Sequence, residues 1–228
     1  MACLPARGAS LDAVDEPSGQ GLLACGRIDH GPDIRDQDGT GEAAHALRPP
    51  LAHLGPARRK RALWVLAAAW LVFGLAALPS LETMSDHGTG VIELELMRTT
   101  GKAHEVLSEY GAEGRSAART SLWLDYPYLV AYALFLSLAC VAIYVRARRL
   151  ARTRWAAVGA ALAWAALLAG LLDAVENAAL LRVLAGHPEQ PYPAIAYLCA
   201  VPKFVLIVSA LLYAGAGLIA LRGSARAG

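Results

Sequence analysis

Apolar positions in this chain come in long unbroken runs, not in alternation. Segments 62–81 and 126–145 are each 20 residues without a charge. Segments 155–172 and 204–221 are 18 each, and the last is preceded by the apolar stretch 193–202. A helix of about 18 or more such residues crosses a hydrocarbon core of about 30 Å. Only helices or closed barrels can cross lipid, and a barrel needs the period-two alternation that these runs lack. The pattern therefore predicts an all-α membrane protein, a four-transmembrane-helix bundle occupying residues 58–222. Its spans are expected at 62–81, 121–145, 155–184 and 193–221, with a short tail at 223–228.

The stretch between the first two spans is too long for a plain connection. Val91, Ile92, Leu94, Leu96 and Met97 are followed by Val106, Leu107 and Tyr110, with Gly90, Gly101, Gly111 and Gly114 as breaks. This predicts two short amphipathic helices lying over the outer face. Glu93 and Glu95 fall among these apolar residues; they could face the bundle mouth, but the solvated face is the expectation preferred. Residues 1–57 show neither period. Gly, Pro, Asp and Ala are spread through them, so the expectation is a disordered tail with no signal peptide.

Charge fixes the expected orientation. The total is only +2, which excludes a nucleic-acid binder driven by bulk charge. The distribution is uneven: residues 1–57 sum to −4 and the remainder to +6. Arg58, Arg59, Lys60 and Arg61 precede the first span. Arg146, Arg148, Arg149, Arg152 and Arg154 fill the second loop, and Arg222 and Arg226 follow the last span. The other two loops are poorly basic. By the positive-inside rule both termini are cytoplasmic, in a multi-pass protein of the plasma (inner) membrane. Apolar residues make up 56% of the chain and charged ones 18%, as a bundle facing lipid requires.

The chemistry rests on charges within the spans. Asp173, Glu176 and Asn177 stand at i, i+3 and i+4, on one helix face. They continue a small-residue seam through Gly159, Ala163, Ala166 and Gly170. The fourth span carries an equivalent seam, Ala196, Ala200, Lys203, Ile207, Ala210, Ala214 and Gly217. At 1.5 Å per residue, Lys203 and the two carboxylates share a depth in the outer half of the bilayer. Asp125 sits nearer the outer end of its span, as the entrance to a candidate binding cluster of Asp125, Asp173, Glu176, Asn177 and Lys203. Pro127 and Pro202 each remove a helical N–H beside these charges and can free a carbonyl. Ionised residues at a span's centre cost roughly 2.5–3.5 kcal/mol each, so their presence calls for a role.

Other chemistries lack their residues. All six His lie outside the spans, which excludes membrane haem ligation, and the four Cys are scattered singly with no metal spacing. No Gly-rich phosphate loop, HExxH or GxSG motif occurs. No metal and no cofactor are expected.

The segments ELELMRTTG, SLWLDYPYLVAY, LLDAVENAALLRVL and AYLCAVPKFVLI resemble a family of uncharacterised bacterial four-helix integral membrane proteins. That family has a D-x-x-E-N pattern in span three and a lysine in span four. The resemblance spans about residues 60–221 and implies architecture and a shared polar cluster, with no activity attached. Three roles remain open. The first is binding or transport of an ion, proton or small polar solute. The second is a structural or assembly role in which the charges only fix helix pairing, with a membrane-protein partner or a second copy. The third is a membrane enzyme acting on a lipid or isoprenoid, and it ranks last.

Overall fold

The computed structural model describes residues 48–87 and 90–221, and all its regular elements are helices. They are α1 (Pro56–Asp86), α2 (Val91–Glu95), α3 (Thr100–Arg149), α4 (Thr153–Leu184) and α5 (Tyr192–Ala220). Four of these, all but α2, are long and apolar enough to cross a membrane. The chain thus has the architecture of a multi-pass membrane protein.

Short connections make sequential long helices antiparallel neighbours. α3, α4 and α5 pack on one another, while α1 lies mainly against α3. The small-residue seams predicted from the sequence form the α3–α4–α5 contacts. Gly159, Ala163, Ala166 and Gly170 on α4 are buried, as are Ala196, Ala200, Ala210 and Gly217 on α5. Close approach is built in: a Cβ at Gly170 would lie 2.7 Å from the Ala133 Cβ. α1 behaves differently. Among its residues only Met84 is buried, and Trp64, Val65 and Leu71 are more than half exposed. A helix that is apolar all round yet so exposed is matched to lipid, not to water.

One end of the bundle is closed by the α1–α3 connection. In α2, Leu94 is buried, and Ala103, Val106, Leu107 and Tyr110 of α3 line up at helical spacing beneath it. With Met84, Met97, Leu122, Leu180 and Ala196 they form an apolar cluster that caps this end. The cap is tied down by backbone contacts: the Tyr110 hydroxyl donates to Gly90 O (3.2 Å), and Gln190 Nε2 donates to Arg98 O (3.1 Å). The second amphipathic helix is continuous with the second span, broken only at Gly111, where φ is +59°. That conformation suits glycine, and it lets the chain turn from the cap into the bundle without a loop. The helix that carries the span expected at 121–145 thus begins within the cap, at Thr100.

A second apolar cluster, including Leu129, Leu136, Val141, Ala163 and Ala210, fills the opposite, basic half. Residues 48–55 precede α1 there. Pro49 is buried, and Arg48 O accepts from Trp164 Nε1 at 3.1 Å. The remainder of the expected tail, residues 1–47, and the expected tail at 223–228 lie outside the described residues.

Candidate functional site

Along each helix the two apolar clusters leave a gap, and the charges occupy it. On α3 the gap lies between Leu122 and Leu129, on α4 between Ala166 and Ala179, and on α5 between Ala196 and Ala210. Asp173, Glu176, Asn177 and Lys203 are 4%, 0%, 2% and 4% exposed, so the layer is enclosed by protein.

Lys203 is its centre. Its Nζ is 2.7 Å from Asp173 Oδ1 and 2.8 Å from Glu176 Oε2. The lysine thus engages both carboxylates of α4 at once, as their shared depth predicted. Asp173 also accepts from the Tyr132 hydroxyl of α3 at 2.8 Å through Oδ2. Asn177 donates to Asp125 Oδ2 at 2.5 Å, which links α4 to α3 beside the ion pairs. Glu176 Oε1 is enclosed and has no hydrogen-bond partner among the described residues. Pro127 and Pro202 sit inside α3 and α5, and the layer is built from side chains.

One expectation fails. Glu95 is not on the solvated face: its carboxylate is mostly buried and lies 3.7 Å from Lys203 Nζ. The phase of α2 explains it, since Val91, Leu94 and Glu95 stand at i, i+3 and i+4 on the inward side. Glu93 falls on the other side and is exposed, as expected. Burial raises the Glu95 carboxyl above the ordinary carboxylate range, Lys203 opposes the rise, and Asp173 adds to it.

A cavity of about 200 Å³ adjoins the layer. Glu95, Ser121, Asp125 and Asn177 contribute its polar wall, and Phe73, Ala77 and Leu81 of α1 the apolar one. Thus α1 closes one side of the cavity beside the layer. Two members, Glu95 and Tyr132, were not in the candidate cluster read from the sequence. Tyr132 stands seven residues after Asp125 on the same α3 face, a spacing that could have found it.

The fold and the site together define a four-helix membrane-protein architecture with a buried, carboxylate-rich charge layer. Comparison of the chain with family models, with curated proteins and with solved structures gives no match. The resemblance drawn from the D-x-x-E-N segment therefore assigns no family, and the reading of function rests on the geometry.

Proposed function

We propose that this chain is a multi-pass protein of the plasma membrane that binds and exchanges a proton, an ion or a small polar solute at its buried charge layer. The binding residues are Asp173, Glu176, Asn177 and Lys203, with Asp125 at the cavity side and Glu95 supplied by the cap. The observation that carries this reading is the charge imbalance. One ammonium faces three carboxylates within 3.7 Å, and among the described residues a fourth, Asp125, is held by a neutral amide. Full ionisation of such a layer leaves excess negative charge buried, which is relieved by protonating a carboxyl or by admitting a cation. The central position is already taken by the lysine, which favours the proton. Both termini would be cytoplasmic, placing the cap and the layer toward the outer leaflet.

A second reading has its own support. Three carboxylates around one ammonium can also serve only to hold α2, α4 and α5 in register. Infrared difference spectra of the reconstituted protein separate the two. The binding reading expects a protonated-carboxyl band at neutral pH that shifts on a pH jump and is lost in Glu176→Gln or Asp173→Asn. Spectra showing every carboxylate ionised, with no response to pH or to Na⁺ or K⁺, would leave the register-holding role.

A further inference from the structure

The basic end of the bundle carries charge that the other described residues do not balance. Arg58, Arg59, Lys60 and Arg61 stand at the start of α1, and Arg146, Arg148 and Arg149 at the end of α3. Arg152 and Arg154 lie beside them. Every described Asp and Glu lies in the charge layer or toward the cap, from Glu82 and Asp86 on α1 to Glu189 after α4. Among the described residues none of the nine cations forms an ion pair.

Two of these cations are held in place without being neutralised. Arg59 Nη2 donates to Leu54 O at 2.8 Å, while its enclosed Nε has no partner among the described residues. Arg146 donates through Nε and Nη2 to Leu221 O at 3.0 and 2.6 Å. Backbone carbonyls position these guanidinium groups and leave their full charge uncancelled. Arg59, Arg146 and Arg149 line the same recess of about 280 Å³. Three guanidinium groups gathered at one recess repel one another unless an anion joins them, and planar guanidinium forks match phosphate oxygens.

That recess opens beside a larger groove of about 560 Å³ between α1, α3 and α5. Beyond Arg59 and Lys60 its walls are apolar, with Leu63, Trp64, Phe135 and Leu218 among them. The volume falls in the range of ligand sites. Cations at one end and an apolar channel running along the spans match one molecule, an amphiphile with an anionic head and hydrocarbon tails.

We infer that the α1–α3–α5 groove is a binding site for an anionic phospholipid. The phosphate sits on Arg59 and Arg149, and an acyl chain lies along Trp64 and Phe135. The site does not involve the charge layer and stands whatever that layer does. Basic pockets between membrane helices commonly hold such headgroups.

Trp64 lines the groove and reports its occupant. The full-length chain is reconstituted in phosphatidylcholine vesicles containing equal small fractions of either brominated phosphatidylglycerol or brominated phosphatidylcholine. The Trp64 signal is the difference between the parent and Trp64→Phe. Stronger quenching by the brominated phosphatidylglycerol is expected, with a preference of roughly fivefold for each engaged arginine. The preference should vanish in Arg59→Gln/Arg149→Gln and persist in Arg59→Lys/Arg149→Lys, which keeps the charge. Equal quenching by the two lipids would overturn the inference, as would a preference untouched by the glutamine pair. So would a preference that appears only after residues 1–47 are deleted, since the acidic segment would then be the occupant.

Discussion

Replacing Lys203 by Met tests the charge layer most directly. The substitution removes the ammonium that lies 2.7 Å from Asp173 and 2.8 Å from Glu176, and it leaves both carboxylates enclosed. Among the described residues the Tyr132 hydroxyl is then the sole remaining donor to Asp173, and Glu176 keeps none. Deleting one partner of a buried pair costs about 3–5 kcal/mol. Proton uptake caps the loss: keeping a carboxyl neutral at pH 7 when its ordinary value is near 4 costs about 4 kcal/mol, at about 1.36 kcal/mol per unit. The two figures are close, so the folded variant should take up a proton. Its stability deficit should then shrink as pH falls, because the folded form binds a proton that the unfolded form releases. Unfolding in bicelles, followed by tryptophan fluorescence at several pH values, reads both the deficit and its slope. Adding Asp173→Asn or Glu176→Gln to Lys203→Met should recover at least about 1 kcal/mol, the coupling expected of groups in contact. A single variant within about 0.5 kcal/mol of the parent, or double variants that are merely additive, would refute the account of a lysine neutralising a carboxylate-rich layer.

Three further outcomes are expected. In a cysteine-free background, cysteines placed between residues 90 and 120 should be labelled from outside intact cells, whereas one at Leu150 should not; labelling at Leu150 would invert the topology. Deleting residues 1–47 should leave the melting temperature in detergent unchanged, while deletion through residue 56 should lower it. The longer cut removes the carbonyls of Arg48 and Leu54, which accept from Trp164 and Arg59; equal melting for both forms would mean those bonds add nothing. For Glu95 the sign follows from its raised carboxyl. A group held above its ordinary value of 4.5 contributes stability that is complete below that value and lost as pH rises through the raised one. Glu95→Gln should therefore gain on the parent in melting temperature as pH increases, and parallel curves would contradict the burial of that carboxyl.

The parts of this architecture set by one-dimensional pattern were legible, and the parts set by phase and by a third dimension were less so. Uncharged runs fixed the four long helices because lipid tolerates little else at that length. Rise per residue placed Lys203 level with Asp173 and Glu176, and the ion pairs confirm that depth. The helix of the second span begins ahead of its apolar run, at Thr100, because the turns before Ser121 pack into the cap. Gly111 takes the positive φ at the kink that separates those turns from the span.

Glu95 is the instructive miss. Two glutamates in the sequence ELEL differ by two positions, which is just over half a turn, so one points in when the other points out. Counting apolar neighbours cannot separate them, but the phase fixed by Val91 and Leu94 does, and it selects Glu95. The consequence is chemical. Counting only the α4 carboxylates that contact it, one lysine against two leaves a single excess charge, which one shared proton would settle. Once the cap contributes a third carboxylate 3.7 Å from the lysine, the excess doubles, and closing α2 over the bundle becomes linked to the protonation of the layer beneath it. The cap is then part of the site and not merely its cover, because it cannot lift without taking one of the layer's charges with it.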